Sequence, residues 1–206
     1  MQYPYVLNMR DFPDTQILLY RDFPDVFSAE YQNNAKLFAR QLETYKNDPF
    51  LIGYFLSNEP HWAFGDNNLA FEMFATNTIS ETKKQFVAWL KSKYKDIGTF
   101  NKSWNTNVKS FDDITALTFK ESPSEECWSD CRTFSEIMVD TYVKVVCDEV
   151  KKIDPNHLNL GLRYAWISSE LCYRAGAFFD VFQLTGIAFQ GLPKLPKLAN
   201  EVANRY

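Results

Sequence analysis

The chain has 206 residues, of which 46% are hydrophobic and 17% aromatic, so it can bury a sizeable core and is not disordered. Its net charge is −4, and no run of lysine or arginine alternates with aromatic residues, which excludes the usual pattern of a nucleic-acid-binding protein. No apolar run approaches the roughly 20 residues of a membrane span, and residues 1–10 lack the features of a signal peptide. We predict one globular domain over residues 1–206, with neither nucleic acid nor membrane as a partner.

The cysteines and histidines do not form a metal site by their spacing. The four cysteines are Cys127, Cys131, Cys147 and Cys172. No two pairs of them have the short spacings of zinc ligands, and His61 and His157 lie far from them in the sequence. Cys127 and Cys131 would share a helix face, where a disulfide is strained. We predict free thiols, no metal and no cofactor, and the redox compartment stays open.

The first part of the chain alternates between prolines and a clear helix. Residues 1–27 are aromatic and interrupted by prolines, and we expect a loop over the mouth of the fold. Ser28 is a good N-cap for the helix that follows. The apolar stripe of that helix consists of Tyr31, Ala35, Phe38, Leu42 and Tyr45. The helix should end at Asp48-Pro49, because proline disfavours the helical conformation of the preceding residue.

A short apolar run then leads into a polar and aromatic cluster. Residues 51–56, LIGYFL, predict a strand that is buried on both faces, as in a parallel sheet covered by helices. Helix, short turn and apolar strand together indicate an α/β fold. Functional groups in such folds lie at the carboxyl ends of the strands. Asn58, Glu59, His61 and Trp62 should therefore meet at this edge.

Glu59 is the candidate catalytic group of this cluster. A glutamate after a strand is commonly a solvated loop acid or the negative charge at the start of a helix, so that alternative stays open. The neighbours favour a sugar site, since Pro60 fixes the exit of the strand, Asn58 offers an amide and Trp62 a flat face. Sugar rings present apolar C–H faces to aromatic rings, and their glycosidic oxygen needs a proton donor as it leaves.

The middle of the chain predicts an insertion followed by helices. Residues 65–74 should form a long insertion above the site. Residues 78–81, TISE, have the form of a capping box for a helix that ends at Gly98 and has a solvated lysine face. Trp104 should belong to the core. Residues 120–130 are acidic and contain proline and serine, which predicts a surface excursion within the single domain.

The last part of the chain repeats the helix-to-strand pattern. An apolar stripe from Val139 to Ile153 ends at Asp154-Pro155, and residues 158–165 predict a second strand. Arg163 at the end of this strand could orient a carboxylate or sugar hydroxyls, and the Trp166 ring could form the floor of a sugar subsite. The alternative for these two is a strand-end ion pair and a packed ring. Residues 180–189 predict a third strand.

Five segments of the chain form a recognisable set, namely residues 23–27 (FPDVF), 48–59 (DPFLIGYFLSNE), 86–94 (FVAWLKSKY), 100–104 (FNKSW) and 154–163 (DPNHLNLGLR). They resemble the retaining (β/α)8 glycosidases, most of all β-agarases and related β-galactosidases. The resemblance implies an α/β fold of the (β/α)8 TIM-barrel type. It also implies that Glu59 is the acid/base at the end of the fourth barrel strand and that Asn58 bonds the sugar 2-hydroxyl.

The same resemblance implies that parts of the barrel are missing. A barrel of this type takes about 250 residues, so we expect an incomplete barrel fragment, truncated at both ends. The nucleophilic carboxylate should lie outside this chain, because no strand after Phe189 ends in an acid and Glu201 falls on a helical pattern. Thr185 and Ile187 stand where the family has an asparagine and a tyrosine, which is a departure from its pattern.

Three functions remain open from the sequence. The first is a retaining glycoside hydrolase acting on galactan-type or agar-type chains, inactive as this fragment. The second is a sugar-binding barrel piece without the chemistry, and the third is an unrelated α/β enzyme that uses Glu59 as a base. The expected partner is an oligo- or polysaccharide. Family habit implies a secreted or periplasmic location, and the oligomeric state stays open.

Overall fold

The centre of the molecule is a parallel sheet of three strands. The computed structural model describes residues 3–181. The sheet has the order β1-β4-β5, with β1 at Tyr5–Asn8, β4 at Leu51–Asn58 and β5 at Leu158–Arg163. Both pairings are parallel, so β4 is flanked on each side. Strands are confirmed at both apolar runs, but Ile52 of β4 is 48% exposed rather than buried, and β5 ends at Arg163 rather than at Ala165. Apart from its first two residues, the strand predicted at 180–189 lies outside the described residues, as do Thr185, Ile187 and Glu201.

The prediction of a loop over residues 1–27 is wrong. This segment contains β1 and a small antiparallel pair, β2 at Leu18–Tyr20 and β3 at Phe23–Pro24. The backbone of β1 is bonded at both ends, since Tyr5 N donates to Phe50 O at 2.9 Å and Met9 N to Phe55 O at 3.0 Å. A four-residue strand has a weak local signal, and its pairing with β4 decides its conformation.

The part of the chain that the structure describes contains six helices in addition to the strands. They are α1 at Ala29–Ala39, α2 at Leu69–Glu72, α3 at Glu81–Tyr94, α4 at Ile97–Trp104, α5 at Glu125–Ile153 and α6 at Glu170–Ala175. Four 3-10 turns lie at Arg40–Thr44, His61–Phe64, Asp112–Ala116 and Gly176–Phe178. Ser28 caps α1 as predicted, accepting from Tyr31 N at 3.0 Å. The helices α1 and α5 pack together, and the Tyr31 hydroxyl donates to the Tyr142 carbonyl at 2.6 Å.

Two boundaries predicted for the central helices are wrong. The N-cap of α3 is Ser80 rather than Thr78, and its hydroxyl accepts from Lys83 N at 3.0 Å. The helix ends at Tyr94 instead of Gly98, because Lys95 adopts a left-handed φ of 65° and a new helix follows. The predicted excursion at 120–130 is also partly wrong, since α5 already begins at Glu125 behind its cap Ser124.

The two Asp-Pro sequences form equivalent turns at the amino-terminal edge of the sheet. Asp48 Oδ1 accepts from Phe50 N at 2.9 Å, and Asp154 Oδ1 accepts from Asn156 N at 3.0 Å. The ring of His157 joins the turns, with Nδ1 2.7 Å from Asp154 Oδ2 and Nε2 3.0 Å from the Asp48 carbonyl. The hydrogen bond from the Phe50 amide is the largest effect that lowers the Asp48 pKa. These turns fix the amino-terminal ends of β4 and β5.

The core is rich in aromatic rings and contains the cysteines. Trp104 is fully buried, as predicted, and its Nε1 donates to Asp130 Oδ2 at 2.9 Å. All four cysteines are buried and free, which confirms the prediction of free thiols. Within residues 3–181 no helix is long and apolar enough to cross a membrane.

One lysine of α3 is buried, so the predicted solvated lysine face is partly wrong. Lys83 is 0% exposed. Its ammonium donates to the carbonyls of Thr76 and Leu117 at 3.3 Å each and lies 4.9 Å from the centre of the Phe74 ring. None of these partners is a carboxylate. Burial lowers the Lys83 pKa from 10.5 to about 8.

We expect this lysine to make stability depend on pH in alkaline solution. Between about pH 8 and pH 10.5 the unfolded chain binds more protons at Lys83 than the folded chain. The free energy of unfolding should therefore rise with pH in this window, relative to Lys83→Met, by up to about 1.4 kcal/mol per pH unit. Urea denaturation at pH 7 to 10 measures this difference. The control is Lys84→Met at the exposed neighbour, and curves with equal pH dependence for wild type and Lys83→Met would contradict the expectation.

Candidate active site

Glu59 directly follows the central strand β4 at its carboxyl end, as predicted. It is half-buried, and its backbone N–H donates to the Arg163 carbonyl at the end of β5 at 2.8 Å. Its φ of 52° lies in the left-handed region, which is costly for a residue with a Cβ atom. Such strain persists only where the surroundings hold the backbone, and it clusters at functional sites.

Asn58 and Arg163 are brought together beside Glu59. The two residues are paired across β4 and β5, and Arg163 Nη1 donates to Asn58 Oδ1 at 3.0 Å. A guanidinium can only donate, so the amide atom facing it must be the oxygen. The Asn58 nitrogen is consequently the group left for a ligand. This contact is not the strand-end ion pair that was the alternative for Arg163, because its partner is an amide and not a carboxylate.

The pocket next to Glu59 is a narrow depression without room for a water molecule inside it. Trp166 is 42% exposed and packs edge-on against Phe64, with ring centres 4.7 Å apart at 82°. The pocket is lined by Glu59, Pro60, Ala63, Phe64, Tyr164, Ala165 and Trp166. One carboxylate thus shares this depression with an exposed indole. Phe64 was missed by the sequence analysis, which placed the aromatic face at Trp62.

The prediction that Trp62 stacks on a sugar ring is wrong. Trp62 is 1% exposed, so neither face of its indole is open. Its ring lies edge-on to Phe23, Tyr142 and Tyr164, with centres 5.6, 5.7 and 6.5 Å away. The 3-10 turn His61–Phe64 directs Trp62 inwards and Phe64 towards the pocket. Trp62 therefore anchors the loop.

The layer beneath the pocket is apolar and uncharged. Burial raises the pKa of the Tyr142 and Tyr164 phenols well above the usual value. Both phenols therefore stay uncharged well into alkaline solution. No group of three or more histidine, cysteine or acidic side chains within residues 3–181 is arranged to hold a metal ion.

His61 lies at the rim of the site. Its ring is exposed and edge-on to Phe64, with centres 6.0 Å apart. Its backbone N–H donates to Asp22 Oδ2 at 2.6 Å, and its carbonyl accepts from Arg21 Nη1 at 3.0 Å. Asp22 and Arg21 belong to the turn between β2 and β3. Sequence reasoning missed them, since no spacing links this turn to the end of β4.

Comparison with known proteins identifies the family. The sequence profile of Glyco_hydro_42, described as Beta-galactosidase, matches residues 1–166. The chain belongs to this family. Beta-agarase B from Vibrio sp. (strain JT0107) is 30% identical over 166 residues, which cover 75% of this chain and 17% of that protein.

Solved agarase structures resemble this Glyco_hydro_42 chain over nearly all of its length. An agarase, AgWH50C, superposes with a TM-score of 0.76 at 25% identity, covering 97% of this chain and 30% of that one. An exo-beta-agarase gives a TM-score of 0.75 at 27% identity, covering 97% and 29%. The chain thus spans less than a third of these relatives. The predicted resemblance to agarases and galactosidases is confirmed, and the fold is confirmed as far as a three-stranded parallel sheet with helices.

Proposed function

We propose that Glu59 is the general acid/base of a retaining glycoside hydrolase that cleaves β-linked galactan or agar-type chains. The observation that carries this proposal is the position of Glu59 at the carboxyl end of the central strand, lining a pocket with the exposed Trp166. Asn58 and Arg163 stand beside it as polar groups for sugar hydroxyls. Membership of a glycoside hydrolase family supports the reaction class.

The reaction needs two carboxyl groups. In a retaining glycosidase one acid protonates the leaving oxygen while a second carboxylate, about 5 Å away, attacks the anomeric carbon. Water then hydrolyses the glycosyl-enzyme intermediate, with the first residue now acting as base. In our proposal Glu59 is the first group, and the nucleophile comes from a part of the protein outside this chain. Glu59 is the one acid among the pocket's lining residues in the described region.

The proposal places this sheet within a larger enzyme. The strands β1, β4 and β5 would be part of a (β/α)8 barrel whose other strands are supplied by further chain. The substrate would be a polysaccharide or a fragment of one, met in the periplasm or outside the cell. The protein made from the complete gene should release reducing ends from agarose or from a β-galactoside. Failure to cleave either class of substrate would overturn the proposal.

A sugar-binding protein without the chemistry is the second candidate. It is favoured by the pocket itself, which offers an exposed indole and a phenylalanine ring but a single acid. The two candidates give different results with the same preparation. Calorimetric binding of an agar oligosaccharide that stays intact would support the second candidate, and turnover would exclude it.

We expect Trp166 to bind the sugar ring nearest to Glu59. Trp166→Ala should raise KM for an oligosaccharide about fivefold or more, with a smaller change in kcat, because stacking stabilises ground state and transition state alike. Trp128→Ala is a matched control, since that indole is 47% exposed but lies outside the pocket. Steady-state kinetics of both variants test this. Equal KM changes in the two would contradict a role for Trp166 in binding.

A further inference from the structure

The turn between β2 and β3 forms hydrogen bonds with the backbone immediately after Glu59. Asp22 uses both carboxylate oxygens, Oδ2 accepting from His61 N at 2.6 Å and Oδ1 from Trp62 N at 2.7 Å. Arg21 Nη1 donates to the His61 carbonyl at 3.0 Å. Three hydrogen bonds from one turn therefore hold two consecutive residues, and Pro60 alone separates them from Glu59.

These hydrogen bonds support a backbone segment whose left-handed conformation is unfavourable by itself. Glu59 has a φ of 52°, and Arg21 on the opposite side has a φ of 51°. The first N–H groups of the 3-10 turn His61–Phe64 have no partners within the turn, so the Asp22 carboxylate satisfies them. Charged hydrogen bonds of this kind are about twice as strong as neutral ones.

A second contact fixes the same segment from the side of β5. Ser168 Oγ donates to the Ala63 carbonyl at 2.5 Å and lies 3.2 Å from the Gly65 carbonyl. The buried Trp62 lies between these two attachments. The loop that follows Glu59 is thus tied to the segments on both sides, while the Glu59 N–H is tied to β5.

We propose that Asp22, with Arg21, is a positioning residue that aims the Glu59 carboxyl group at the glycosidic oxygen. This inference rests on the proposed function of Glu59. Proton transfer requires the acid within about 2.6–3.2 Å of the oxygen. Release of the His61–Trp62 backbone lets the left-handed residue relax towards ordinary φ values, which swings its side chain away. Asp22 acts through the backbone alone and touches no substrate.

The test uses the protein expressed from the complete gene and two substrates that differ in leaving group. Asp22→Asn replaces one of the two acceptor oxygens by an NH₂ group that cannot accept. We expect kcat/KM for an agar oligosaccharide to fall about 10- to 100-fold, because its leaving oxygen needs the proton. The loss for 2,4-dinitrophenyl β-galactoside should stay within about threefold, because this leaving group needs little acid assistance.

Asp14→Asn is the control, an exposed aspartate of the same N-terminal segment outside these contacts. It should change neither rate. A merely structural role for Asp22 would lower the active fraction and thus both rates equally, which would overturn the proposal. If Asp22→Asn does not fold, Arg21→Gln provides the test, since Arg21 is exposed. Its substitution removes the bond to His61 O and the contact of the guanidinium with the Tyr20 ring, whose centre is 5.0 Å away. We expect from it the same selective loss, about three- to tenfold.

A double mutant separates this inference from the proposed function. In a Glu59→Gln background, Asp22→Asn should cause no further loss, because residues that act through one group are not additive. A multiplicative loss would overturn the positioning role while leaving Glu59 as the acid. If Glu59→Gln itself lowers the rates on both substrates equally, the proposed function of Glu59 fails, and the positioning role fails with it.

Discussion

Glu59→Gln should lower kcat/KM for an agar oligosaccharide about 10³-fold or more, while 2,4-dinitrophenyl β-galactoside loses about tenfold or less in its first step. Glutamine keeps the shape of the side chain but has no acidic proton. The glycosidic oxygen of a sugar chain is a poor leaving group and depends on that proton, whereas a dinitrophenolate departs without it. Steady-state and burst kinetics of the protein from the complete gene measure both rates.

The matched control for this variant is Glu170→Gln. Glu170 is an exposed acid in the first turn of α6, so its amide should leave both rates unchanged. Equal losses on the two substrates in Glu59→Gln would exclude the acid role. They would instead indicate that Glu59 attacks the sugar or supports the fold.

Asn58→Asp should lower kcat/KM about 10²- to 10³-fold on sugars that carry a 2-hydroxyl group. The Asn58 oxygen already accepts from Arg163 Nη1, so in the proposed site the nitrogen is the donor for the 2-hydroxyl group. Aspartate keeps the contact with Arg163, removes that donor and adds a negative charge beside Glu59. Hydrogen bonds to the 2-hydroxyl strengthen in the transition state, so the loss should appear in kcat more than in KM.

A 2-deoxy-galactoside provides the control for Asn58. Wild type and Asn58→Asp should hydrolyse this substrate at similar rates, because the group that the amide binds is absent from it. A loss of equal size with and without the 2-hydroxyl would contradict the assigned contact. It would point to a change in the Glu59 environment caused by the new carboxylate.

The sequence predicted the part of the fold in which local patterns are strong. The apolar run of β4 is a local signal and was confirmed, and Asp48-Pro49 forms the turn before it. The helix predicted to end at that turn ends earlier, at Ala39, and continues as a 3-10 turn to Thr44. The position of Glu59 at the carboxyl end followed from the strand, because strand direction fixes which end carries the loops. The strand β1 was missed, since four residues show no reliable period and their hydrogen bonds come from β4.

Side-chain direction in the loop after β4 could not be predicted. Trp62 and Phe64 are both aromatic and two residues apart, so composition does not distinguish the packed ring from the open one. The 3-10 turn His61–Phe64 determines which of the two rings is buried. This turn is held by hydrogen bonds to Asp22, which comes from a different part of the chain. The burial of Lys83 could not be predicted either. Its face of α3 carries lysines, but the segments at Thr76 and Leu117 cover it.

The most direct measurement is the product that Glu59→Ala forms from 2,4-dinitrophenyl β-galactoside in the presence of azide. Removing an acid/base carboxylate opens its side of the glycosyl-enzyme to a small anion, which should attack with overall retention and give β-galactosyl azide. NMR of the anomeric proton identifies this product. A product with the α configuration would make Glu59 the nucleophile, and the absence of any azide product would contradict a role for Glu59 as the acid/base.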